Sequence, residues 1–148
     1  MFRPAVEADL PQIQKLVDEL YAEDPNTQGL TTDVRRTFVE FQNKPDKGEL
    51  IVFDDNGDVV GYCIIIFFWS NEYGGNLIDI DEICIAREMR RASLATDLLN
   101  WLEEKFADDA VGFSLEIAYH NHPAQSLAKK MGFSAVRNQH MIKITKTS

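Results

Sequence analysis

Apolar positions along this chain recur first at helical spacing, then at strand spacing, then at helical spacing again. Residues 2–6 read as a short strand. Leu10, Ile13, Val17 and Leu20 follow three or four apart, which predicts an amphipathic helix over 10–22. Asp9 reads as its N-cap, with Gln12 three residues on as the capping-box partner. Pro25-Asn26 breaks that helix. Val34, Phe38 and Phe41 form the stripe of a second helix, which Thr31 or Thr32 can cap.

Apolar runs at 50–53 and 59–69 flank Asp54-Asp55-Asn56-Gly57-Asp58, and Asn-Gly between such runs predicts a hairpin. The second run is continuously apolar, so its strand should be covered on both faces. In the next strand Ile78 and Ile80 alternate with Asp79 and Asp81, then Ile83 and Ile85 with Glu82 and Cys84. The apolar phase slips by one residue between Asp81 and Glu82. An unbroken strand cannot do that, so the pattern predicts a β-bulge there; the alternative is a strand that ends near 81.

Leu94, Leu98, Trp101, Leu102 and Phe106 predict a third helix over 91–107. A strand at 113–118 follows. A fourth helix over 121–131 has Pro123 in its first turn and Gly132 just past its end. Residues 134–144 are expected to supply the last strand or strands. The order β-α-α-β-β-β-α-β-α-β describes a mixed α/β fold: one central sheet, helices on both faces, and a bulge in the fourth strand.

The 148 residues fit one domain spanning 1–148. Lys and Arg number 15 against 24 Asp and Glu, a net charge of −9. Such a surface repels phosphate backbones, so no nucleic-acid partner is expected. It attracts cations, small amines among them. The longest apolar run, 62–69, is far short of a membrane span, so no membrane partner is expected. The first ten residues carry no apolar signal core. Cys63 and Cys84 lie in apolar stretches without a C-x-x-C, which fits two free buried thiols and a cytoplasmic location. His120 and His122 share a strand face but lack a third ligand, so no metal is expected.

Residues 85–99, IAREMRRASLATDLL, resemble the acyl-CoA signature of the GNAT superfamily of N-acyltransferases: a strand, then R/Q-x-x-G-x-G/A, then a helix. Arg90 takes the first position, Ser93 the first Gly and Ala95 the last Gly/Ala. Asn121-His122-Pro123-Ala124 through Lys129-Lys130-Met131-Gly132-Phe133 resembles the family's N-x-x-A…L-Y-x-K-x-G-F helix. The element order matches as well, so the resemblance covers nearly the whole chain.

The resemblance implies an N-acetyltransferase that uses acetyl-CoA as acyl donor. An amine would attack the thioester directly in a ternary complex. The start of a helix offers unpaired N–H groups and a positive dipole end to a pyrophosphate. Arg90, Arg91, Ala92, Ser93, Leu94, Ala95 and Thr96 would form that cradle. The pantetheine arm would pair like a strand between splayed strands, against Ile83, Cys84 and Ile85, with Asn121 also touching it. An amide near the bulge would polarise the thioester carbonyl, work worth about 2.7–4 kcal/mol per donor. Asp81 or Glu82 would remove the amine's proton, with Asp79 nearby to gather a cation. The family often dimerises. Phe67-Phe68-Trp69 would be a candidate contact for a homodimer, although core packing is the simpler reading of that run.

Two positions depart from the family pattern. Ser93 and Ala95 replace glycines that let a backbone approach phosphate closely. Ala128 stands where a thiolate-protonating Tyr is frequent; Tyr119 or His120 are the candidate substitutes. A general acid is worth about 10²–10⁴-fold, whereas positioning two substrates supplies about 7–11 kcal/mol. The loss should slow the reaction rather than abolish it. A competing reading is a catalytically weak acyl-CoA-binding or regulatory module of the same fold.

Overall fold

The computed structural model describes residues 1–23, 31–90 and 92–146. Along them run β1 (Phe2–Pro4), α1 (Leu10–Glu23), α2 (Val34–Asn43), β2 (Gly48–Asp55), β3 (Asp58–Ser70), β4 (Gly75–Ile85), α3 (Ala92–Lys105), β5 (Gly112–Leu115) and α4 (His122–Lys130). The strands lie in chain order in one sheet. Neighbours are antiparallel except β4 and β5, whose parallel pairing needs the crossover that α3 supplies.

Both turn residues of the β2–β3 hairpin have positive φ, 54° at Asn56 and 96° at Gly57. Two such residues give the turn the twist its strands need. The long apolar strand is buried on both faces from Gly61 to Ile65. Of Phe67-Phe68-Trp69 at its far end, only Phe67 packs against the core, and Phe68 and Trp69 are exposed rather than packed as expected. Tyr62 and Ile64 pack with Ile13, Leu16 and Val17 of α1. Cys63 and Ile65 pack with Leu98, Leu99 and Leu102 of α3.

The bulge falls where the phase slips. Ile64 pairs with Glu82 and Ile65 with Ile80, which leaves Asp81 as the extra residue. Cross-strand partners share a face. Ile78 and Ile80 before the bulge, and Ile83 and Ile85 after it, therefore all lie on the α3 side. Asp79, Glu82 and Cys84 lie on the α1 side.

Several local expectations are corrected. Asp9 does not cap α1 with Gln12. Its buried carboxylate accepts from the Val6 amide at 2.8 Å and from Arg3 at 2.8 and 3.0 Å. Gln12 Oε1 accepts instead from the Val59 amide, at 3.0 Å. The cap of α2 is Asp33, not Thr31 or Thr32, with its carboxylate accepting from the Arg35 amide at 3.0 Å. The first strand ends at Pro4 rather than at 6, and β5 ends at Leu115 rather than at 118.

The expected strands at 134–144 do not form; residues 133–146 hold no regular element. A strand needs a ladder as well as an apolar alternation, and among the described residues this segment finds none. Val136, Met141 and Ile142 are left exposed. The Pro25-Asn26 break lies outside the described residues.

Candidate active site

The bulge opens the sheet. β5 pairs with β4 only from Leu77 to Ile80. From Asp81 to Ile85, β4 keeps β3 on one side and, among the described residues, has no strand on the other. Ile83, Cys84 and Ile85 thus lie along a free strand edge, where an extended ligand with amide groups can pair.

Glu82 stands beside that edge on the α1 face. Its Oε2 accepts from the Tyr21 hydroxyl of α1 and its Oε1 from the Tyr62 hydroxyl of β3, each at 2.8 Å. Burial and the Glu82 carboxylate push the Tyr21 phenol up to about 12, while Thr32's hydroxyl works the other way. Burial pushes the Tyr62 phenol up further, again with Glu82 contributing. Both phenols therefore remain protonated donors at any physiological pH.

Asp81 reaches solvent at the bulge. Partial desolvation pushes its carboxyl up, and Glu82, Asp79 and Glu116 add like charge. Asp79 accepts a 2.8 Å hydrogen bond from the Ser114 hydroxyl of β5. The structure therefore brings Asp79, Asp81 and Glu82 together, and it gives Glu82 the most fully built surroundings of the three.

Past the strand end the chain makes a 3-10 turn at Arg87–Met89, and α3 begins at Ala92. Arg90 Nε donates to the Ile85 carbonyl at 2.9 Å. Its Nη2 lies 3.4 Å from both carboxylate oxygens of Glu23, at the end of α1. Glu23 also binds Arg87 at 2.8 Å. This holds the Glu23 carboxyl below its ordinary range, Arg87 first and Arg90 after it. Ser93 is exposed on the first turn of α3, Ala95 and Thr96 are half-buried, and Leu94 is buried in the core. Arg91 lies outside the described residues. The donors present suit an anion: a guanidinium, hydroxyls and a helix start.

Tyr119 is 97% exposed and His120 is exposed, both in the turn before α4. Asn121 caps α4, its Oδ1 accepting from the Ala124 amide at 3.2 Å. Ala128 is buried, so a tyrosine placed there would have to displace core neighbours. Cys63 and Cys84 are free and buried. Burial pushes the Cys63 thiol up to about 12 and raises Cys84 too, so neither is a ready nucleophile.

Tyr21 and Tyr62 are the site residues that the sequence reading passed over. A signal existed. Tyr62 puts a hydroxyl into an otherwise aliphatic run, and a buried phenol needs a partner.

The acetyltransferase (GNAT) family model matches residues 13–133. Among curated proteins no sequence match reaches significance. Among solved structures, a transcriptional regulator from Bacillus halodurans superposes with a TM-score of 0.81 at 19% identity, covering 97% of this chain and 99% of its own. A ribosomal-protein-alanine N-acetyltransferase from Brucella melitensis gives 0.77 at 16% identity, over 97% and 98%. A GNAT family acetyltransferase from Staphylococcus aureus gives 0.73 at 18% identity, again over 97% and 98%. At these identities the likeness is one of fold.

Proposed function

The chain belongs to the GNAT acetyltransferase family, and on that premise we propose that it transfers the acetyl group of acetyl-CoA to the primary amine of a small cationic acceptor by direct attack. The observation that carries this reading is the free β4 edge beside Glu82, whose carboxylate is fixed by two phenols. Acetyl-CoA would lay its pantetheine amides along Ile83–Ile85 and its pyrophosphate at Arg90, Ser93 and Thr96. The thioester supplies an activated acyl carbon and a tolerable leaving group, since a thiol pKa is about 8.5.

The amine nitrogen bonds to the acyl carbon, the C–S bond breaks, and the sulfur leaves with the electron pair. Glu82 accepts the amine's proton, directly or through a water, and a proton from solvent or from Tyr119 or His120 reaches the thiolate. Tyr21 is a poor acid for that last step, because a phenol at about 12 holds its proton against a thiolate near 8.5. The raised cysteine thiols favour direct attack over an acyl-enzyme.

A cationic acceptor suits Asp79, Asp81 and Glu82, and it creates a tension. Carboxylates that hold an ammonium also favour its charged form. One acid therefore serves as base and the others as binders.

Calorimetric titration with acetyl-CoA tests donor binding, and no binding at millimolar ligand sinks the reading. CoA release across polyamines, aminoglycosides and peptide N-termini tests the acceptor class. Glu82→Gln should lower kcat by about 10²–10⁴-fold. The second reading, a weak acyl-CoA-binding module, draws on Ser93, on Ala128 and on the Glu23 carboxylate lying against Arg90. It predicts binding without turnover on any of these amines.

A further inference from the structure

We propose that Tyr21 and Tyr62 are positioning residues for Glu82: together they fix its carboxylate in one orientation beside the bulge. This rests on the reading of Glu82 as the base. A glutamate side chain rotates about three bonds, and a base must be held within hydrogen-bond reach of the proton it removes. Here each carboxylate oxygen is tied by its own phenol at 2.8 Å. The two donors come from different layers, Tyr62 from the neighbouring strand and Tyr21 from the helix packed over it. Each carboxylate oxygen keeps a second lone pair for a water or an amine.

The hydrogen-bond directions are settled by proton counting. A phenol has one proton, and an ionised carboxylate only accepts. Tyr21 and Tyr62 therefore both donate to Glu82. Tyr62 is 3% exposed and cannot turn away to water.

Two measurements test this. With tyrosines labelled at the ring carbon bearing the hydroxyl, NMR should show the Tyr21 and Tyr62 resonances moving in Glu82→Gln and holding in Asp81→Asn. For function, CoA release is followed by thiol titration with spermidine as acceptor, or with water as acceptor where spermidine is not used. Tyr21→Phe and Tyr62→Phe should each lower kcat/KM about ten-fold or more at pH 6. In a Glu82→Gln background neither change should have a further effect.

Full additivity with Glu82→Gln would overturn the inference. Tyr resonances indifferent to Glu82→Gln would do the same. If Glu82→Gln itself leaves kcat/KM unchanged, the base assignment fails, and the NMR result still stands apart from it. Tyr21 is only half-buried, so Tyr21→Phe keeps the test open should Tyr62→Phe fold poorly.

Discussion

Asp9 and Asp81 are both carboxylates, and their surroundings push them in opposite directions. Hydrogen bonds from Arg3, and then the Val6 amide, hold the Asp9 carboxyl below its ordinary range against the cost of burial. That stability is present above the unfolded carboxyl value, near 3.9, and is lost as pH falls through the lower folded value. Asp9→Asn should cost about 1.5–3 kcal/mol in urea denaturation at pH 7. The difference from the wild type should narrow as pH falls toward 2.

Asp81 is raised, so its contribution is fully present below the unfolded value and is lost as pH rises through the folded one. At neutral pH its charge is a burden. Asp81→Asn should raise Tm at pH 7, and the gain should vanish by pH 3; thermal melts at both pH values check it.

At the level of elements, α1 carries more than its core stripe. Its last turn brings Tyr21 to Glu82 and Glu23 to the arginines before α3. The carboxylate of Glu23 thus lies where a pyrophosphate oxygen would seek Arg90. Glu23→Gln should tighten acetyl-CoA binding several-fold by calorimetry, since the ligand no longer competes with a built-in anion. Arg90→Ala should weaken it. Equal affinities in all three proteins would remove Arg90 from the cradle.

Legibility in the sequence also divides by element. The bulge could be read because Ile78, Ile80, Ile83 and Ile85 share one face of the strand, and only an extra residue between Ile80 and Ile83 lets them do so. The hairpin could be read from Asn56-Gly57, whose conformation is local. The cap of α1 escapes the sequence because Arg3 and the Val6 amide take the Asp9 carboxylate, and that of α2 because Asp33 stands beside two threonines of similar capping chemistry. Residues 134–144 were misread because alternation says which face a strand would show and never which strand it would meet. Glu82 was within reach as a candidate. Its phenols were not, because 61 and 20 residues separate them from it along the chain.

For the whole molecule the net charge of −9 sets the long-range field. A cationic acceptor should feel that field, and salt should screen it. Raising salt from about 10 mM to about 1 M shortens the Debye length from about 30 Å to about 3 Å. The KM of a polyamine should rise over that range, while kcat stays nearly constant; steady-state kinetics in a salt series checks it. No helix among the described residues is long and apolar enough to cross a membrane.

The end of α4 and the segment after it give the field a direction. No Asp or Glu follows Glu116, whereas Lys129, Lys130, Arg137, Lys143 and Lys146 all do, and each of these five is exposed. The chain is thus a long acidic body with a short basic end, and a molecule of that kind has a preferred heading in an encounter. An anionic donor and a cationic acceptor approaching it would be turned toward different parts of the surface before either touched it. On the proposed reaction, the two substrates would then reach the bulge without contending for the same approach.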